Sequence, residues 1–308
     1  MLITIIVSSI VAFLLIVLFV AIFLLYRFVF YSPRKEQLND DNLEMLPFYQ
    51  NYVDRVKELI AILKARPFEN IYIESFDKLK LHARLYENKN SKKVAILFHG
   101  YRGAAYRDFC CVGNEIINMG YTVIIIDQRA HGQSEGHSIT FGIRESKDVE
   151  TWANYARNRF GEDISLALMG VSMGGASVLI AADKVKNAKI IADCPFTSPK
   201  IALKDTLRSI KLATWIFYPL LSLSSLIFAH TNLNKLSAYD SIKNTTNDVL
   251  IIHGDVDKVV SYKISQDLYN AYPNKIHYEL FEGAEHGGSY IKDTARYQKI
   301  LKEFLNDN

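Results

Sequence analysis

The sequence predicts an α/β domain built on a mostly parallel sheet and carried behind a single membrane-spanning helix. Three observations predict it. Residues 2–26 hold no charged side chain. Five near-continuous apolar runs, 94–98, 123–127, 165–170, 189–193 and 249–254, alternate with helical stretches. Gly170-Val171-Ser172-Met173-Gly174 stands between one of those runs and a helix-forming segment. Strands buried on both faces and separated by helices define a parallel sheet, because crossover helices cover both faces.

Composition bounds the answer without deciding it. A chain of 308 residues, 49% hydrophobic and 22% charged, buries a full core, which excludes disorder and a disulfide-stapled miniprotein. The formal net charge of +3 is local: Arg27, Arg34 and Lys35 follow the apolar segment with no acid among residues 27–35, and the rest of the chain balances to zero. No basic surface remains to argue for a nucleic-acid partner.

The 25 residues of 2–26 exceed the roughly 20 apolar residues needed to cross about 30 Å of hydrocarbon. A cleaved signal peptide fits less well, lacking a basic start, a short apolar core and a small-residue cleavage site. The expectation is a single-pass anchor. Basic residues follow the helix and none precedes it, which places the globular part on the cytoplasmic side. The odd cysteine count, Cys110, Cys111 and Cys194, agrees with a reducing compartment. The adjacent Cys110-Cys111 pair reads as part of a buried helix face.

Along the chain, residues 31–47 are polar and punctuated by proline, a linker, and 50–65 carry apolar positions at helical spacing. The stretch 27–69 is therefore expected as linker plus amphipathic helix, and 70–308 as the α/β domain. Residues 71–75 and 78–87 alternate as half-buried antiparallel edge strands do. The five parallel-type runs follow. Between Pro195 and Asn247 the rhythm breaks, and the apolar stretch 212–229 interrupts it with Pro219 and several serines. A helical lid inserted at about 196–247 is expected there; Pro219 and the serines weaken a second membrane span, and plain core helices are the alternative.

The glycines around Ser172 have a physical purpose. A nucleophile on a tight strand-to-helix turn takes strained dihedrals, so the positions two before and two after must be small to avoid backbone collisions. The helix N-terminus behind it stabilises developing negative charge. Its hydroxyl needs a base oriented by a carboxylate, in the chain order serine, acid, histidine. Only His277 and His286 lie beyond the 249–254 run. His277 falls in the alternating strand KIHYELF and His286 in the loop EGAEHGGS, so His286 is expected as the base. Asp193, Asp255 and Asp257 all follow strands; Asp257 is preferred as the acid, Asp193 is the alternative because an acid can reach the histidine from the end of its strand, or else a structural carboxylate there, and Asp255 is better placed to hold the turn. Two backbone N–H groups should face the oxyanion, one from Met173 and one from Tyr101 after Gly100.

FHGY (98–101), DQRAHGQSEG (127–136), GVSMGG (170–175), HGDVDKVV (253–260) and GAEHG (283–287) together resemble the α/β-hydrolase superfamily, and more narrowly bacterial membrane-anchored serine hydrolases related to the BEM46/ABHD13 group. The resemblance covers about residues 70–306. It implies an α/β-hydrolase fold with Ser172, Asp257 and His286 at the triad positions, Tyr101 and Met173 at the oxyanion positions, and Asp127 and His131 in a structural turn. The proline usual after the acid loop is replaced by Ser261.

The function expected is hydrolysis of carboxylic esters or thioesters through an acyl-enzyme, with no cofactor and no metal. The anchor and the apolar 212–229 stretch direct the substrate expectation to small-molecule or lipid-like acyl esters. A peptidase or acyltransferase on the same triad, and a non-catalytic scaffold at the membrane, are the alternatives the sequence leaves open.

Overall fold

A computed structural model of the chain describes residues 1–33 and 52–306. Arg34, Lys35 and most of the expected 31–47 linker lie outside the described residues. Helix α1 (Leu2–Val29) leads to α2 (Val53–Ala65) and the strands β1 (Glu69–Glu74), β2 (Lys80–Tyr86) and β3 (Lys93–Phe98). Short helices α3 (Ala105–Phe109) and α4 (Val112–Asn118) precede β4 (Thr122–Asp127), α5 (Glu145–Phe160), β5 (Ser165–Val171), α6 (Met173–Ile180) and β6 (Ala188–Asp193). Then come α7 (Pro199–Ser209), α8 (Thr214–Ser224), a π-helical turn (Ser225–Ala229), α9 (Ala238–Asn244), β7 (Val249–Gly254), α10 (Tyr262–Ala271), β8 (Ile276–Phe281), α11 (Ser289–Lys292) and α12 (Thr294–Asn306).

The eight strands form one sheet in the order β1-β2-β4-β3-β5-β6-β7-β8. β1 and β2 pair antiparallel at the edge, β2 pairs antiparallel with β4, and every later pairing is parallel. The parallel strands bury both faces because their apolar side chains alternate between two cores. In β3, Val94, Ile96 and Phe98 join the cluster containing Trp152, Val178 and Leu179 from α5 and α6. Ala95 and Leu97 join the opposite cluster, with Phe109, Ile116 and Leu301.

Helix α2 packs against the domain through Val56, Leu59, Ile60 and Leu63, the helical spacing read from the sequence. The Asn114 side-chain amide reaches the Leu59 carbonyl at 3.1 Å and fixes it to α4. A third cluster lies at the carboxyl end of the sheet and joins Tyr26 and Phe30 of the α1 segment to Phe141, Phe196, Leu203, Leu207, Tyr218 and Leu221. Helices α7 and α8 therefore share a core with the end of α1. α9 belongs instead to the sheet flank, where Ser241 and Thr245 hydroxyls donate to the Ile180 and Ala182 carbonyls.

Helix α1 carries no charged side chain before Arg27 and is almost wholly unburied until Ile22 and Tyr26. It is one helix long and apolar enough to cross a membrane among the described residues. Beyond it the backbone docks on the domain: the Ser32 N–H donates to the His137 carbonyl at 2.8 Å, and the Ile139 N–H to the Phe30 carbonyl at 2.7 Å.

Candidate active site

Ser172 sits between β5 and α6 at φ +55°, ψ −113°, a backbone conformation that L side chains avoid. The turn is closed so tightly that its glycines are obligatory. A Cβ on Gly170 would stand 2.1 Å from the Gly174 carbonyl carbon, and one on Gly174 would stand 1.7 Å from the Phe98 oxygen. The Ser172 N–H is anchored to the Asp193 carbonyl at 2.8 Å. Met173 opens α6, so its N–H is one of the amides that have no partner within the helix.

The loop after β3 lies against this turn, with an ideal Gly100 Cβ position only 3.4 Å from Ser172 Cβ. Its conformation is set by buried groups. The Gly100 N–H donates to Asp108 Oδ2 at 2.9 Å, and His99 Nδ1–H donates to the Gly100 carbonyl at 2.9 Å. His99 Nε2 accepts from the Gln128 N–H at 3.0 Å, while His131 Nε2 accepts from the Arg102 N–H at 3.1 Å. Both rings stay neutral: burial lowers His99, and burial together with the neighbouring His99 brings His131 down to about 3. The Tyr101 N–H, expected to face the oxyanion, has no acceptor among the described residues.

Asp257, in the loop after β7, and His286, in the loop after β8, meet with Nδ1–H donating to Oδ2 at 2.6 Å. The Val259 and Val260 N–H groups donate to the other Asp257 oxygen at 2.8 and 2.9 Å. Burial pushes this carboxyl up, but hydrogen bonds from His253 and His286 outweigh it and hold it below the usual carboxylate range. Asp255 turns away from the site and accepts from the Gly283 N–H at 2.6 Å. His277 is an exposed residue of β8.

Asp193 ends β6 and accepts from the buried Tyr297 hydroxyl at 2.9 Å. Burial pushes its carboxyl up to about 6, against the opposing effect of Tyr297. Asp127 stands away from Ser172 and organises the turn after β4, accepting from His82 and Arg84 at 2.7 and 2.8 Å.

Ser172, His286, Gly100 and Tyr101 line one cavity of about 300 Å³, together with Arg102, Cys110, Cys111, Asp193 and Val259. The adjacent cysteines, expected as part of a buried helix face, border this space, with Sγ atoms 3.8 Å apart. No residue of α7 or α8 lines it; α7 touches the Asp257 loop, where the Ser261 N–H lies 3.5 Å from Asp205 Oδ2.

Two features escaped sequence reasoning. His253 ends the otherwise apolar β7, fully buried, with Nε2 3.2 Å from Asp257 Oδ2 and 3.0 Å from the Val260 carbonyl, and Nδ1 2.7 Å from the Ser265 hydroxyl. A histidine at the end of a buried strand must find polar partners, and that was the available signal. Cys194, at φ +44° just after β6, places its thiol 3.9 Å from His286 Nε2. Cys194, Asp257 and His286 bring their ligand atoms within 4.8 Å of one another. They do not fit a resident metal: Asp257 Oδ2 and His286 Nδ1 are spent on each other, and burial keeps the thiol protonated.

A sheet of this order, a strained serine turn and an aspartate–histidine pair at its carboxyl edge define an α/β hydrolase. The profile of the family described as Hydrolase_4, serine aminopeptidase S33, matches residues 89–248. The chain belongs to that family. It is similar to YqkD of Bacillus subtilis, 27% identical over 195 residues, which are 62% of this chain and 64% of that protein. It is also similar to YNL320W of Saccharomyces cerevisiae, named as a membrane protein, 26% identical over 78% of this chain and 80% of that one. The match thus spans under two thirds of YqkD. Among solved structures the Pyrococcus furiosus esterase Pf2001 superposes with a TM-score of 0.64 at 23% identity, over 81% of this chain and 92% of that one, a likeness of fold.

Proposed function

We propose that this protein is a membrane-anchored serine hydrolase that cleaves carboxylic ester or thioester bonds through an acyl-enzyme. The observation that carries the reading is the 2.6 Å bond from His286 Nδ1–H to the buried Asp257, with His286 lining the same cavity as the strained Ser172. In this reading His286 Nε2 takes the Ser172 proton as Oγ attacks the carbonyl, and Asp257 holds the ring in the required tautomer. The Tyr101 and Met173 N–H groups receive the oxyanion. His286 then protonates the leaving group, and water activated by the same nitrogen releases the acid.

The tether is α1, with Arg27 at its end and the catalytic domain on the cytoplasmic side. The cavity opens beside that end: the Arg102 guanidinium donates to the Phe28 carbonyl at 2.7 Å. A site held against the end of a spanning helix meets acyl and lipid-like substrates at the headgroup level. The family description favours a second reading, an aminopeptidase. Against it, Asp108 is engaged by Arg107 and the Gly100 N–H, and Asp193 accepts from Tyr297 through one oxygen while the other is buried out of reach of solvent.

A fluorophosphonate probe on the full chain tests the chemistry. Wild type should label and Ser172→Ala should not; equal labelling would overturn the proposal. Comparing p-nitrophenyl esters, acyl thioesters and aminoacyl anilides then separates ester from peptide hydrolysis.

A further inference from the structure

We infer that the cap formed by α8 and the π-helical turn is a second membrane element, a non-spanning one, immersed in the leaflet beside α1. This rests on the reading of α1 as the membrane anchor. Residues 212–229 contain no charged side chain. Trp215, Leu226, Ile216 and Ile227 nonetheless point outward, with Trp215 79% exposed. An apolar face of that extent needs a covering partner.

Its depth can be read from α1. Phe228 of the π-helical turn packs against Phe19, Phe23 and Tyr26, with ring centroids at 5.7, 5.4 and 5.4 Å. All three precede Arg27, the first charged side chain of the sequence. At 1.5 Å per residue, Phe23 lies about 6 Å and Phe19 about 12 Å to the apolar side of that arginine. If Arg27 sits at the interface, Phe228 and its exposed neighbours stand about 5–10 Å inside the hydrocarbon, the depth of an interfacial amphipathic helix.

The cap does not cross. Its 16 helical residues, Thr214–Ala229, reach about 24 Å, short of the roughly 30 Å core. Tyr218, Leu221, Ser224 and Ser225 return its other face to the domain. Arg208 and Lys211 are exposed just before the apolar run, placed for anionic headgroups. A lipid leaflet is therefore the occupant that charge, depth and continuity with α1 all select.

Trp215 is its own reporter, because the other tryptophan, Trp152, is fully buried. The full chain is reconstituted in phosphatidylcholine–phosphatidylglycerol vesicles carrying acyl-chain bromines, and the emission lost in Trp215→Phe is taken as the signal. Quenching by the bromolipid of about twofold or more, with shielding from aqueous iodide, is the expected result. Iodide quenching without bromolipid quenching would overturn the inference, as would shielding from both, which would mean a protein partner such as a second copy. A carbonate wash of the same vesicles separates the two readings: retained protein with unquenched Trp215 sinks the cap alone, whereas washed-off protein sinks the anchor and the cap together. Probe labelling of Ser172 in the same sample reports the hydrolase reading independently.

Discussion

The Tyr101 hydroxyl donates to the Val29 carbonyl at 2.8 Å, so the loop that offers one proposed oxyanion N–H is tied to the last turn of the apolar helix α1. The ring that makes this bond stacks on Phe141, whose own neighbour is Phe30. Helix and site are thereby one packed unit. Tyr101→Phe keeps the N–H and the stack but removes the bond. Loss of one such hydrogen bond costs about 0.5–1.5 kcal/mol. A melting temperature lower by about 2–4 °C is expected, with reduced turnover of a soluble ester. An unchanged melt and unchanged turnover would show that the tie is idle.

The serine turn tolerates no Cβ at Gly174, where it would meet backbone rather than a movable side chain. Gly174→Ala should cost more than about 4 kcal/mol, among the severe single substitutions. Thermal melting and soluble yield measure it; a stable, active Gly174→Ala protein would contradict the described turn.

Asp257 binds His286 and His253 through the same oxygen, so neutralising it should disorient the proposed base, His286, while preserving shape. Asp257→Asn is expected to slow probe labelling on the order of 10³-fold or more, the scale of a wrong histidine tautomer. Asp193→Asn and Asp255→Asn should stay within about tenfold of wild type, since neither touches His286. If Asp193→Asn is the silent variant and Asp257→Asn is not, the acid has moved to β6.

His253 is proposed to act through Asp257 as a positioning residue. His253→Ala would leave the Val260 carbonyl without that donor at a buried site, at a cost of about 1–3 kcal/mol. The loss should appear in kcat, with KM for a small ester little changed. A KM effect alone would mean that the loop merely loosens the cavity.

The buried Asp193 gives stability a pH dependence. Its folded value of about 6 lies above the unfolded carboxylate value, near 3.9, so the folded state binds the proton more tightly. The stabilisation it supplies is complete below about pH 4 and is lost as pH rises through about 6. Asp193→Asn should remove that loss, up to about 2–3 kcal/mol, while keeping an acceptor for Tyr297. Melting curves of the two proteins that run parallel from pH 4 to 8 would refute it.

Much of this was legible in the sequence for local reasons. The apolar runs 94–98, 123–127, 165–170, 189–193 and 249–254 are read correctly as parallel strands because a strand covered on both faces can carry no polar alternation. The amphipathic segment 50–65 places Val56, Leu59, Ile60 and Leu63 on one face whatever they pack against. His253 carries no local signal of its role because its strand neighbours are apolar and its partners, Asp257, Val260 and Ser265, come from a loop and a helix folded back over the strand end.

By itself, then, the sequence determined the fold class, the strand-turn-helix setting of Ser172 and the uncharged length of α1, all consequences of periodicity and of which residues a short stretch of backbone allows. Only the tertiary structure decided that the 212–229 segment packs beside α1 instead of lining the cavity, and that the buried His253 shares the Asp257 oxygen with His286. Those outcomes depend on contacts between segments far apart in the chain, where complementary shape and the pairing of buried polar groups choose among partners that local pattern cannot distinguish.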